Sequence, residues 1–149
     1  MGRRQGPWGG IVIEGNSGLL VHRPETTCLN PAIRVRYEPE YVLVTLVGEI
    51  DYAAVAGLRE RLFALTASGR QVVADLDRVS FIDAAGIGVL AGAARRAAVH
   101  GSTLHVVCAR RQTRRLFRLT GLDRVVSLAG DMTEALRLLA VPAAAGAAV

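Results

Sequence analysis

From residue 32 the chain settles into a regular alternation. Ile33, Val35 and Tyr37 take turns with Arg34, Arg36 and Glu38, the period of two that marks a half-exposed strand. Glu38-Pro39-Glu40 supplies a turn, and Tyr41 to Val47 follows as a second, more apolar strand, so the pair predicts an antiparallel hairpin. After Gly48-Glu49-Ile50 the period changes. Asp51 is placed to cap a helix, and Val55, Leu58, Leu62 and Leu65 recur at helical spacing before Ser68-Gly69 ends the run. A short apolar strand from Gln71 to Leu76 leads to a second helix, Ala84 to about His100, lined by Gly88, Gly92 and several alanines small enough to let it lie close to a sheet. Thr103 to Val107 reads as a strand, Arg110 to Thr120 as a helix closed by Gly121, and Val125 to Leu128 as a last strand. Asp131-x-x-Glu134 has the form of a capping box and opens a final helix to Leu139.

Strands alternating with helices imply an α/β fold with a mixed, mostly parallel sheet of about five strands, about four helices and right-handed crossovers. Residues 1–31, rich in Gly, Pro, Asn and Thr, show no sustained period and predict a disordered or loosely ordered arm. Residues 32–140 form the expected domain, and 141–149 an Ala-rich flexible tail.

Composition narrows the chemistry. With 149 residues the chain has the size of one ordinary domain. It carries 18 cationic residues against 13 acidic ones, and every cation is arginine. Without lysine the chain supplies no P-loop lysine, Schiff base or lysine general base. Aromatic residues make up only 5% of the chain against 51% apolar, so the core must be aliphatic. Cys28 and Cys108 are too few for a disulfide framework and lie in no C-x-x-C pair, while His22, His100 and His105 are scattered. Neither a metal nor a cofactor is expected. Ile11 to Ile13 is cut short by Glu14 before it reaches signal-peptide length, and no segment approaches the roughly 20 apolar residues of a membrane span. The expectation is a cytoplasmic protein with no membrane insertion.

Three motifs invite a sharper reading. Val72-Val73-Ala74-Asp75-Leu76-Asp77-Arg78-Val79 has the outline of a D-x-D phosphotransferase nucleophile strand, but the chain has no lysine and no obvious second acidic pair for that chemistry. Gly86-x-Gly88-x-x-x-Gly92 is one residue too long for a dinucleotide loop, and no acid follows to hold a ribose. Between Leu90 and Arg124 stand eight arginines, including Arg95, Arg96, Arg110, Arg111, Arg114, Arg115 and Arg118, and one acid, giving a local charge of +7 where the rest sums to −2. Without interleaved aromatics or a helix-turn-helix pattern, a solvated helix face or a surface for an acidic partner explains this face better than nucleic acid does.

The strongest constellation is Val79-Ser80-Phe81-Ile82-Asp83-Ala84-Ala85-Gly86-Ile87-Gly88-Val89-Leu90. A strand delivers Asp83 as N-cap to a helix whose first N–H groups and positive dipole end converge on the loop. A phosphate on position 84 or 85 would sit in that helix N-terminus, yet both positions are alanine.

These residues carry a family resemblance. Gly48-Glu49-Ile50-Asp51, Val73-Ala74-Asp75-Leu76 with Val79, Phe81-Ile82-Asp83-x-x-Gly86-Ile87-Gly88 and Leu119-Thr120-Gly121-Leu122-Asp123 occur in family order over Ala32 to Leu139. The chain thereby resembles STAS domains, specifically the bacterial anti-sigma factor antagonists. The resemblance implies a STAS-like fold and a non-enzymatic module of transcription regulation by partner switching. Such a module docks on an anti-sigma factor, a serine kinase with a GHKL-type fold. In that family the kinase phosphorylates a Ser or Thr of the D-[ST]-[ST]-G loop and the added charge breaks the complex. Carried over, the phosphoacceptor position is Ala85, the loop comprises Asp83, Ala84, Ala85, Gly86, Ile87 and Gly88, and Asp51 lies near the partner surface. Alanine accepts no phosphate, so the implied module is either permanently unphosphorylated or an adaptor in a transport or stress-signalling complex. Ser80 and Ser102 are the nearby hydroxyls, off the loop. A homodimer is left open, and an Arg-rich nucleic-acid-associated protein is the alternative from another class.

Overall fold

In the computed structural model of the chain, which describes residues 11–14, 19–22 and 32–141, the alternating segment joins one continuous sheet. Strands β1 (Ile11–Glu14) and β2 (Leu19–His22) pair antiparallel, and β2 pairs in turn with β3 (Ala32–Tyr37). β3 and β4 (Tyr41–Ile50) form the expected hairpin, with Tyr37 opposite Val42 and Val35 opposite Val44. β5 (Gln71–Ile82), β6 (Leu104–Val107) and β7 (Ser127–Ala129) then add in parallel, so the strand order follows the chain order. Helices α1 (Tyr52–Thr66), α2 (Ala84–Val99) and α3 (Arg111–Thr120) lie in the crossovers, α3 followed by a single 3-10 turn, Leu122–Arg124. Helix α4 (Met132–Ala140) follows β7. The five strands β3 to β7 and these four helices are the α/β arrangement that the periodicity predicts.

β1 and β2 fall inside the segment read as a loosely ordered arm. Each holds three apolar residues and one polar one, too short to register as a period; β2 pairs onto the edge of β3 and β1 onto β2. Residues 1–10, 15–18 and 23–31 of that arm, with Cys28, lie outside the described residues, as do 142–149 of the expected tail.

The two faces of the sheet are covered differently. Ile33, Val35, Val42, Val44, Leu46, Val72 and Ala74 point to one face, where Leu58 and Leu62 of α1 and Leu90, Ala93 and Ala94 of α2 meet them. Burying one such leucine contributes roughly 1.5–3 kcal/mol. Alternation sends Val73 and Val107 the other way, onto Ala135 of α4. Central β5 is therefore buried on both faces, which makes Val72-Val73-Ala74 read as an apolar run without alternation. On α1 the buried stripe is rotated from the one expected: Ala54, Leu58, Leu62 and Leu65 are buried, and Val55 sits at the margin.

The glycines of α2 also require a correction. Gly88 is exposed with no heavy atom within 4 Å of where a Cβ would stand, so it brings nothing close. Gly92 does permit a close approach, but to the neighbouring helix: an added Cβ would lie 2.9 Å from Cζ of Phe63 on α1. The Arg59 and Arg96 guanidinium carbons stand 5.0 and 5.5 Å from the centre of that same ring, cation–π distances that seal the α1–α2 seam.

β5 is longer than its alternation suggests. Its pairing with β4 slips twice, between Thr45 and Val47 and between Gly48 and Glu49. At each slip β5 carries one residue more than β4, the count of a bulge. Gly48 adopts φ 104° at the second irregularity. Each extra residue resets the side-chain alternation by one, so the buried positions become Leu76, Val79 and Ile82, three apart. The strand thus continues to Ile82, opposite Ile50, and both strands end side by side.

Candidate functional site

The paired ends of β4 and β5 place two helix N-termini next to each other. Asp51 follows Ile50 and caps α1, its Oδ1 accepting the Ala54 N–H at 3.0 Å. Asp83 follows Ile82 and caps α2, its Oδ1 accepting the Gly86 N–H at 2.9 Å. The two turns are tied to each other, because the Asp83 N–H donates to the Ile50 carbonyl at 3.1 Å. Each carboxylate faces the positive end of its own helix dipole, the arrangement that favours negative charge.

Gly86 makes this juxtaposition possible. A Cβ there would stand 2.7 Å from Cγ2 of Ile50 and 2.8 Å from Cγ1 of Ile82, far inside contact distance. The first turn of α2 therefore presses directly against both strand ends. Gly86 and Ile87 are buried beneath the surface, while Ala84 and Gly88 are exposed and Ala85 and Asp83 are half-buried. Of the loop residues singled out in the sequence, Gly86 and Ile87 thus build the edge, and Asp83, Ala84, Ala85 and Gly88 present it.

The structure adds two residues that periodicity does not mark. Tyr52, 84% exposed, opens α1 beside Asp51, and Phe81, 51% exposed, stands two residues before Asp83 on the bulged end of β5. Both rings stand beside the capped helix starts, so this edge carries apolar surface next to its carboxylates. The available signal in the sequence is their place beside the two capping aspartates, where the helix and strand patterns leave them off the core face.

The other expected residues divide. Arg95 and Arg96 lie exposed on α2, the latter over Phe63; Arg110 is the N-cap residue of α3, and Arg111, Arg115 and Arg118 lie exposed along that helix with Arg114 half-buried. They do not join the aspartate edge. β6 pairs with β5 only as far as Val107 opposite Asp75, and β5 runs on for the seven residues Leu76 to Ile82. At about 3.3 Å per residue this carries the aspartates as much as about 23 Å past the end of β6, where α3 begins. Ser80 is exposed on the projecting part of β5. Ser102 is buried, with its hydroxyl oxygen 3.4 Å from the Ala97 carbonyl.

Little else in the described residues can react. Cys108 is fully buried, and burial pushes its thiol up from the ordinary value. His105 is buried with Nδ1 unpartnered, and burial holds its pKa below the usual imidazole value. Among the described residues no three His, Cys, Asp or Glu side chains gather to hold a metal ion, and no helix is long and apolar enough to cross a membrane.

Comparison with known proteins fits this geometry. The family model described as STAS domain matches residues 31–135. The anti-sigma-B factor antagonist of Bacillus subtilis (strain 168) is 29% identical over 100 residues, covering 67% of this chain and 92% of that protein. The crystal structure of an anti-sigma factor antagonist from Mycobacterium paratuberculosis superposes with a TM-score of 0.68 at 26% identity, over 80% of this chain and 98% of that one. The phosphorylated form of the Bacillus cell fate determinant SpoIIAA shares the fold, with a TM-score of 0.57 at 23% identity over 72% of this chain and 99% of that one.

Proposed function

Because the chain belongs to the STAS domain family, we propose that it is an anti-sigma factor antagonist-like binding module whose Asp51–Asp83 edge docks on a GHKL-type serine kinase acting as anti-sigma factor. One observation carries the reading: two capped helix N-termini held side by side, flanked by the exposed rings of Tyr52 and Phe81 and lacking any hydroxyl at Ala84 or Ala85. The relatives named as antagonists of anti-sigma factors support the class of partner. The edge offers a partner two carboxylates with exposed aromatic rings beside them, a mixture of apolar and polar contact suited to a protein interface.

The missing hydroxyl sets the regulation. A phosphoryl group on residue 85 would bring about −1.5 to −2 charges to the first turn of α2 and to any partner surface against it. Alanine denies that charge, so release of the partner through this loop is closed. Control then rests on the amount of the protein and on the state of its partner. Titration calorimetry of the host's kinase-fold anti-sigma factors against the purified protein tests the docking. Binding that Phe81→Arg abolishes supports it, and the absence of binding to every such kinase, also by Ala85→Ser, overturns it.

The same alanines favour a second reading, a STAS scaffold or adaptor in a transport or stress-signalling complex that keeps the edge and dispenses with the switch. Affinity capture from the native host separates the two, since the adaptor recovers a complex without a kinase-fold protein.

A further inference from the structure

A second surface of different chemistry lies on α3. Ala109, Arg111, Arg114, Arg115, Arg118 and Leu119 line an open hollow of about 750 Å³. Arg111, Arg115 and Arg118 stand at spacings of four and three, so they share one helix face. Leu119, 74% exposed, lies among them.

The nearby carboxylates are committed elsewhere. Oδ1 of Asp77 accepts the Ala109 N–H at 2.8 Å and fixes the entry to α3, and Oε2 of Glu134 accepts the Gly130 N–H at 2.6 Å. Among the described residues the only ion pair joins Arg36 to Glu38, far along the chain from the hollow. The undescribed segments hold no excess of acid either: 1–10 contain Arg3 and Arg4 and no carboxylate side chain, 15–18 and 142–149 contain no charged side chain, and 23–31 balance Arg23 with Glu25.

We propose that the α3 hollow is a docking site for an acidic protein segment that also carries an aliphatic side chain, its carboxylates taken by Arg111, Arg115 and Arg118 and its apolar group set against Leu119 and Ala109. Guanidinium groups match carboxylates in two-point geometry, and the apolar Leu119 and Ala109 add a contact that a phosphate backbone does not use. The lining contains no aromatic on which a base could stack, and the basic side chains come from one helix rather than from a groove with two charged walls. The site is set back from the Asp51–Asp83 edge, so it is a separate contact and its existence does not depend on what the edge binds.

Fluorescence anisotropy of a labelled Glu-Glu-Leu repeat peptide with the purified full-length protein tests this. The peptide binds, Arg115→Glu/Arg118→Glu weakens it by about tenfold or more, and Arg115→Gln/Arg118→Gln weakens it by a smaller factor with the melting temperature unchanged. Leu119→Ser weakens it by about threefold, whereas Arg95→Glu/Arg96→Glu, an equal change of charge on α2, stays within about twofold. A Glu-Glu-Ser repeat or a short DNA duplex that binds as tightly as the Glu-Glu-Leu repeat overturns the proposal in favour of a generic polyanion surface. Equal loss in the α2 variant, or no binding of the peptide, overturns it as well. The assay contains no kinase, so its failure leaves the docking of the aspartate edge untouched.

Discussion

Asp83 combines two roles that substitution can separate. As N-cap it satisfies the Gly86 N–H, and as a charge it belongs to the edge proposed to face the partner. Asparagine keeps the acceptor and removes the charge; alanine removes both. Asp83→Ala is expected to destabilise the protein by about 1 kcal/mol in urea unfolding, and Asp83→Asn by less than about 0.5 kcal/mol. If the charge matters for docking, both variants bind the anti-sigma factor more weakly despite this difference in stability. Equal binding by Asp83→Asn and the unaltered protein would assign the residue to capping alone.

His105 gives the molecule a pH dependence of known sign. Burial without a partner for Nδ1 disfavours the imidazolium, so the folded-state pKa lies below the unfolded value of about 6.5. Between those two values the unfolded chain binds more protons than the folded one, and stability falls as pH drops below about 6.5. The slope contributed by one histidine is at most about 1.4 kcal/mol per pH unit. Thermal unfolding from pH 7.5 to 5.5 should show this loss, and His105→Leu should flatten it. A melting temperature equally pH-dependent in both proteins would place the proton uptake on another group.

At the scale of elements, the close approach of α2 to two strand ends rests on Gly86. Ile50 and Ile82 are β-branched and stiff at χ1, so neither can swing away from a new methyl group. Gly86→Ala is expected to cost about 1–3 kcal/mol by overpacking. Ile50→Ala deletes the Cγ2 atom in the way, so the double variant should lose less stability than the two single changes summed, a coupling that a double-mutant cycle measures. Strict additivity would mean that the first turn of α2 simply shifts outward.

The same elements show where the sequence was readable. The β3–β4 hairpin, the three aspartate-capped helix starts and the closure of α3 by Gly121, at φ 75°, were legible because alternation, capping residues and a left-handed glycine are local signals. The far half of β5 was not, because two bulges convert its period from two to three and hide the buried stripe of Leu76, Val79 and Ile82. β1 and β2 were not, since their order is owed to a neighbour. The aspartates of the site were visible as caps and as parts of a familiar motif. For Tyr52 and Phe81 the only local signal is their place beside those aspartates; how far each ring is exposed depends on the bulged end of β5 and on how two crossovers meet. Nor could spacing reveal that Gly88 faces open solvent while Gly86, two residues earlier, is pressed between two isoleucines.

For the whole molecule, the net charge of +5 conceals a division of surface. Eight of the eighteen arginines lie between Leu90 and Arg124, on α2, α3 and the segments beside them, while the edge made by β4, β5 and their helices carries Asp51, Asp83 and exposed aromatic rings. Salt should therefore weaken contacts at the α3 hollow much more than contacts at the edge. Tyr52→Ala/Phe81→Ala removes exposed rings and should leave unfolding stability within about 0.5 kcal/mol while costing docking tenfold or more, about 1.4 kcal/mol. A loss of stability without a loss of binding would make the two rings structural.

The central claim is that the edge engages a kinase-fold anti-sigma factor in a complex that phosphorylation of the α2 loop cannot undo. The direct measurement follows that complex by size-exclusion chromatography before and after addition of ATP, with intact-mass analysis of the antagonist, for the unaltered protein and for Ala85→Ser. The unaltered protein is expected to stay bound and gain no phosphoryl group, whereas Ala85→Ser gains one and is released. Release of the unaltered protein with a phosphoryl group attached would overturn the docking model.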